Sequence, residues 1–357
     1  MSRAHWTLLV VALSLCALSV YVLHGATGSA PEAVERSQLR WFGVGALVAL
    51  VASQVEYHAL KRLTPAFYVA TLGALSLVLL IGKRVNGSQR WLDFGAFTVQ
   101  PSEPAKLALI LALASWIEAA PRPRGYSFGD LVPIAALLGL PMFLVFQEPD
   151  LGHTLMLLFI GASMMSYERL RRKTAVGGLI LGLVGAPLAW LFLLKRYQKE
   201  RILTLIDGQV DRLGAGWHAR QAEVAVGSGG LLGKGHALGS QVAGGFLPEN
   251  HTDFVFAKLA EEWGFLGASL TLALYLALIL SILYTAYTAR DHFGSLVCLG
   301  VGAMLFWHVV MNVGMVLNLL PVTGVTLPLM SYGGSSVVTT CLALGLVLNV
   351  HAQRHVF

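Results

Sequence analysis

An aspartate flanked by aromatic and aliphatic residues is the strongest acid–base candidate in this chain. Asp253 follows Phe246 and Leu247 and precedes Phe254, Val255 and Phe256. Apolar surroundings raise a carboxylate pKa toward the range a general base needs. His251 and Thr252 stand close enough in sequence to orient it. The same residues also suit a helix cap, because Thr and Asp are common at helix starts. Taken alone, the segment fits the cap better than the base.

Three further sites carry charge where charge is costly. Glu103 and Lys106 border an uncharged run of only 11 residues, 107–117, so a membrane helix there must take them in. Three positions apart, they share a helix face. They serve either as an ion pair anchoring the helix end or as a site facing a ligand. Arg90, in Asn86-Gly-Ser-Gln-Arg-Trp-Leu92, sits beside a Trp suited to a membrane interface and has the fork geometry for a phosphate. The segment Gly227-Ser-Gly-Gly-Leu-Leu-Gly-Lys-Gly235 resembles a P-loop but fails its pattern. Ser228 stands at the first Gly position, and Gly235 where Ser or Thr must hold magnesium. Lys234 and the surrounding amides form either a phosphate contact or a plain surface turn.

These residues must be placed by membrane helices. Of 357 residues, 56% are hydrophobic and 12% charged, with a mean hydropathy of +0.68. A soluble domain carries roughly 25% charged residues. That excludes a soluble enzyme, a nucleic-acid module and a disordered chain, and the long apolar runs exclude an outer-membrane barrel. The net charge of +6 fits basic loops retained in the cytoplasm. Cys16, Cys298 and Cys341 lie in apolar runs as packing residues.

The reading is an all-α polytopic membrane protein with ten transmembrane helices, over 6–24, 39–57, 64–83, 104–118, 129–147, 151–167, 174–194, 263–287, 293–316 and 328–350. The final uncharged stretch, 292–353, is too long for one span and is divided at Pro321, Pro328 and the Ser331-Tyr-Gly-Gly334 cluster. With both termini in the cytoplasm, the inside loops hold eleven Lys and Arg, Arg3 and Arg354 among them, and the short outside loops hold six. A large extracytoplasmic loop, 195–262, then joins helices 7 and 8. It carries 16 of the 44 charged residues and reads as short helices and turns on the membrane surface. Gly178 and Gly182 in span seven, and Gly264, Gly267, Ala268 and Ala273 in span eight, suit close helix contact within the chain or with a partner.

Seven motifs, in order, carry a resemblance along essentially the whole chain. They are Gly87-Ser-Gln-Arg-Trp-Leu92, Gln100-Pro-Ser-Glu-Pro-Ala-Lys106, Gln147-Glu-Pro-Asp-Leu-Gly152, Leu213-Gly-Ala-Gly-Trp217, Gly227-Ser-Gly-Gly230, His251-Thr-Asp-Phe254 and Leu319–Ser336. The chain resembles the SEDS family (shape, elongation, division and sporulation), and within it the RodA branch more than the FtsW branch. Asn318 departs from the small residue usual in relatives.

The resemblance implies a peptidoglycan glycosyltransferase of the bacterial cytoplasmic membrane, acting on its outer side in cell elongation. Its substrate is lipid II, and its partners are a class B penicillin-binding protein and the elongation machinery. The acceptor GlcNAc 4-hydroxyl attacks C1 of the donor MurNAc, and undecaprenyl pyrophosphate leaves with inversion. Such a displacement needs a base and positive charge for the leaving group. The matching family position makes Asp253 the base. Arg90, Lys106, Arg201, Arg220 and Lys234 are candidate pyrophosphate ligands, with Arg90 and Lys106 favoured. Glu103, His251, Thr252 and Ser331 complete the candidate substrate contacts. A divalent cation such as magnesium or manganese would fit the pyrophosphate, although no ligand cluster demands one. Two rivals remain. One is a lipid-linked precursor flippase, against which the uncharged middles of spans five to ten weigh. The other is a non-catalytic scaffold for the penicillin-binding protein.

Overall fold

Burial sorts the helices into a core and a lipid-facing shell. The computed structural model describes residues 3–24, 31–55, 57–85, 88–95, 97–206, 215–247 and 249–353. Gly87, Leu213, Gly214, Pro248 and Arg354 lie outside the described residues, so the parts of the motifs and charge pattern that rest on them are not placed. The first helices are α1 (Arg3–His24), α2 (Pro31–Gln54), α3 (Tyr57–Ile81), α4 (Ser102–Ala119), α5 (Phe128–Gln147), α6 (Leu151–Tyr167) and α7 (Arg172–Leu188). Three short helices follow, α8 (Arg196–Ile206), α9 (Ala215–Ser228) and α10 (Ser240–Ala243). The chain closes with α11 (Val255–Tyr287), α12 (His292–Val316) and α13 (Gly334–Gln353).

Helix α4 is apolar on all sides and packs among α3, α5, α6, α12 and α13, so nearly all of it is buried. Helix α7 is the opposite: Thr174 is its one buried residue. A Cβ added at Gly178 or Gly182 would meet nothing, so neither makes a close helix contact within the described chain.

Among the described residues, seven helices are long and apolar enough to cross a membrane by length and composition: those in α1, α3, α5, α7, α11, α12 and α13. Helix α6 is a shorter apolar helix. Ten spans are not confirmed on these measures: α2 and α4, which carry charges such as Arg40, Glu103 and Lys106, are not among the seven, and α6 is too short.

Three expectations about elements change. The chain is predominantly helical rather than all-α, since β1 (Lys83–Val85), β2 (Ser88–Asp93) and β3 (Thr98–Val99) form an antiparallel sheet in that order. The seventh apolar segment is not one α-helix to 194: past Pro187 it becomes a π-turn over Ala189–Leu193. Proline removes a backbone donor from the helical ladder there. Lastly, α11 starts at Val255 rather than 263 and breaks at Gly264, with φ 65° and ψ −162°. That backbone region is essentially open to glycine alone.

The break explains the Gly-rich segment. Phe265 N donates to Gly230 O at 2.8 Å and Leu266 N to Leu231 O at 3.1 Å. From the other side Lys234 N donates to Glu261 O and Gly235 N to Glu262 O, both at 3.0 Å. A Cβ on Gly229 would strike Ala260 O, and one on Gly233 would strike Glu262 O. The segment is a backbone clamp on the kink of α11. The amides of Gly229, Gly233, Lys234 and Gly235 donate to the chain's own carbonyls, which favours the turn over a phosphate cradle. Gly264 and Gly267 are likewise filled from within, by Leu231 and by Trp263. That takes Gly264 and Gly267 off the small-residue docking face expected on this helix, whereas Ala273 is exposed and Ala268 half-buried, beside the exposed Phe265, Leu266 and Leu270.

Candidate functional site

Asp253 sits in the turn that leads into α11. Two side chains lace that turn to the loop 318–333. Asn312 Nδ2 donates to Asp253 O at 2.9 Å and to Val325 O at 2.8 Å. Ser331 Oγ donates to Thr252 O at 2.5 Å and accepts from Leu327 N at 2.8 Å. Tyr332 N adds a bond to His251 O at 2.8 Å. Gly324 approaches so closely that an added Cβ would sit 3.2 Å from Asp253 Oδ2. With φ +71°, the position also favours glycine on backbone grounds. Asn318, at φ +54°, ends α12 in the left-handed region that Asn tolerates better than most residues, which accounts for its place there.

Asp253 opens onto a cavity of about 610 Å³, lined also by Arg90, Trp91, Glu103, His153, Arg201, Glu249, Thr252, Val322, Thr323, Gly324 and Thr326. Burial, then Glu249, pushes the Asp253 carboxyl up to about 6, against the pull of His153 and Arg90. The group is thus a base poised near neutrality. Arg90 reaches the cavity from β2, where its NH2 group donates to Pro149 O at 2.5 Å and its Nε lies 3.4 Å from Asp150 Oδ2. Arg201 comes from α8, with one guanidinium nitrogen on Val322 O at 3.0 Å. Burial and the neighbouring Arg90 lower its pKa. Two guanidinium groups thus share a single cavity with the carboxyls of Asp253, Glu249 and Glu103.

The other candidates divide. Glu103 and Thr252 line the cavity. Lys106 does not: it is fully buried behind Glu103, with Nζ on Glu103 Oε1 at 2.9 Å and on His308 Nε2 at 2.8 Å. This corrects its placement as a favoured pyrophosphate ligand, because two of its three donors are already spent on the chain. Lys234 is likewise committed, to Ser228 Oγ, Ser240 Oγ and Glu261 Oε1 at 2.7–2.8 Å. Arg220 is exposed on α9 and is not among the cavity residues. His251 and Ser331 hold the turn from behind rather than lining the space.

Sequence reasoning missed Asp150, His153 and Glu148 as site residues, although their motif was visible. Asp150 caps α6 and accepts from His153 N at 3.1 Å. Burial raises its pKa, but His153 and Arg90 outweigh that and hold the carboxyl well below the usual range. Glu148 is buried, and neither carboxyl oxygen has a hydrogen-bond partner among the described residues. Burial, then Asp150, pushes it up to about 8. Among the described residues no group of three or more His, Cys, Asp or Glu could hold a metal ion by itself.

A family model described as Cell cycle protein, FTSW_RODA_SPOVE, matches residues 2–356. The chain belongs to the FtsW/RodA/SpoVE family. Its relatives within that family include the peptidoglycan glycosyltransferase MrdB of Escherichia coli K12, 36% identical over 98% of this chain and 93% of that protein. The peptidoglycan glycosyltransferase RodA of Treponema pallidum is 30% identical over 98% of both chains. Among solved structures of the FtsW/RodA/SpoVE fold, a chain of a peptidoglycan synthase complex that coordinates polymerization and crosslinking superposes with a TM-score of 0.85. It is 34% identical over 98% of each chain. The rod shape determining protein RodA of Thermus thermophilus gives 0.74 at 31% identity, over 99% of this chain and 98% of that one.

Proposed function

We propose that this chain is the glycan-strand polymerase of cell elongation, an inverting peptidoglycan glycosyltransferase that uses lipid II. The observation that carries the reading is the cavity in which a carboxylate with a pKa near 6 meets two guanidinium groups. Asp253 takes the proton of the acceptor GlcNAc 4-hydroxyl as its oxygen bonds to C1 of the donor MurNAc. The bond from C1 to the pyrophosphate oxygen breaks, and the electron pair leaves with undecaprenyl pyrophosphate. Arg90 and Arg201 meet the negative charge developing on that group, as preorganised cations do at such centres. Glu103 and Thr252 accept hydrogen bonds from sugar hydroxyls at the cavity wall. A second cavity, of about 670 Å³, lies between α2, α3, α4 and α13 and shares Ser335 with the first. Its mostly apolar lining suits the polyprenyl chain.

In this reading the polypeptide crosses the bacterial cytoplasmic membrane ten times with both termini inside. Segment 195–262 and the Asp253 cavity face outward, where a class B penicillin-binding protein crosslinks the product. A flippase needs charges distributed along a path through the bilayer, and the middles of spans five to ten carry none. A scaffold would leave Asp253 dispensable. Purified protein incubated with labelled lipid II and its partner in detergent should yield glycan chains. No chains from active, folded protein would refute the polymerase.

A further inference from the structure

His153 has no part in the reading above, yet its surroundings are specific. It lies in the first turn of α6, 4% exposed, on the cavity wall. Its Nδ1 meets Asp150 Oδ2 at 3.0 Å and its Nε2 meets Glu103 Oε1 at 2.9 Å. Carboxylates accept and do not donate, so a ring held between two of them carries a proton on both nitrogens. Beyond Asp150 stands Arg90, and beyond Glu103 stands Lys106. The row Arg90, Asp150, His153, Glu103, Lys106 therefore alternates in sign from end to end. His308 ends it without adding charge. Its Nδ1 donates to Met304 O at 2.8 Å, which leaves Nε2 to accept from Lys106.

Glu103 on this wall and Asp150 buried behind it would repel a pyrophosphate unless they are offset. Arg90 and Lys106 sit at the outer ends of the row, and only His153 lies between the acids. We infer that His153 is a positioning residue for the pyrophosphate leaving group: it offsets Asp150 and Glu103 together and links Arg90 to Glu103 through its two hydrogen bonds and the Arg90–Asp150 ion pair. The inference rests on the glycosyltransferase reading and adds to it a residue that acts through its neighbours.

The test uses the full-length chain with its crosslinking partner, labelled lipid II and a polyprenyl pyrophosphate as product inhibitor. His153→Gln keeps an N–H donor and removes the charge. Its KM for lipid II and its Ki for the polyprenyl pyrophosphate should both rise on the order of tenfold, with kcat changed less than about threefold. Adding Asp150→Asn removes the uncompensated carboxylate and should recover most of that loss. Unchanged KM and Ki in a folded His153→Gln protein overturn the inference. So does a fall in kcat alone that the double variant does not repair, because that is what a merely structural role produces. Should His153→Gln fail to accumulate, the double variant decides: a KM near wild type supports the inference and a tenfold higher KM overturns it. Absence of wild-type polymerisation would overturn the glycosyltransferase reading itself, whereas an active wild type with an indifferent His153 overturns this inference alone.

Discussion

Replacing Asp253 with Asn keeps the side chain's size and removes its capacity to take a proton. Burial and Glu249 move the Asp253 carboxyl from 3.8 to about 6. Such a group is about nine-tenths ionised at pH 7 and about one-tenth at pH 5, so wild-type polymerisation should fall about tenfold over that interval. A carboxyl at the ordinary value would give a nearly flat profile there. Losing a general base lowers the rate by about 10²–10⁴-fold, and the residual activity of Asp253→Asn should no longer follow this limb. Stability should move the other way. The folded chain retains a proton on Asp253 that the unfolded chain releases between pH 3.8 and about 6, so stability falls as pH rises through that window. Asp253→Asn should therefore have a higher Tm than wild type at pH 7, and the difference should vanish below about pH 4. The assay is gel separation of glycan chains made from labelled lipid II by purified protein with its partner, at pH 5, 6 and 7, alongside thermal melts. Wild-type chain synthesis by Asp253→Asn, or a flat wild-type profile from pH 7 to pH 5, would refute the base assignment.

Other perturbations separate the remaining cations and the clamp. Arg201→Gln should raise the KM for lipid II about tenfold, whereas Arg220→Gln, exposed and away from the cavity, should leave kinetics unchanged in the same assay; equal effects would remove Arg201 from the site. Lys234→Met leaves Glu261 buried without its ammonium partner and should cost roughly 3–5 kcal/mol, read as a lower Tm, with normal KM in whatever protein folds. A selective KM effect there would restore Lys234 as a substrate ligand. Gly264→Ala forces a side chain into a glycine-only conformation against Leu231 and should cost at least about 1–3 kcal/mol. An Ala variant as stable as wild type would mean the kink is not needed.

Much of this molecule could be read from residue order. Membrane residence follows from apolar runs, since a chain with so few charges cannot cover a water-facing surface. Asp253 could be singled out because apolar neighbours adjoin it in sequence, of which Phe254 lines the same cavity. Glu103 and Lys106 were visible as a pair because helix periodicity puts residues three apart on one face. Their separate fates were not visible. Which of the two lines the cavity depends on α12, which brings His308 to Lys106 from 202 positions away.

The same limit governs the other cations. Arg90, Arg201, Arg220 and Lys234 look alike as a list of positive charges. Packing commits Lys234 to Ser228, Ser240 and Glu261, leaves Arg220 on the surface and turns Arg90 and Arg201 into the cavity. The Gly227–Gly235 segment suggested phosphate because glycines permit both an anion nest and close backbone approach. Only the kink at Gly264, pressed against it, selects the second use. Local sequence sets hydrophobicity, helix periodicity and turn chemistry, because each depends on near neighbours. The partners of a buried charge come from distant elements, and desolvation makes finding them obligatory. That is why the acid–base candidate was legible along the chain, while the row from Arg90 through His153 to Lys106 exists only once β2, α4, α6 and α12 have packed together.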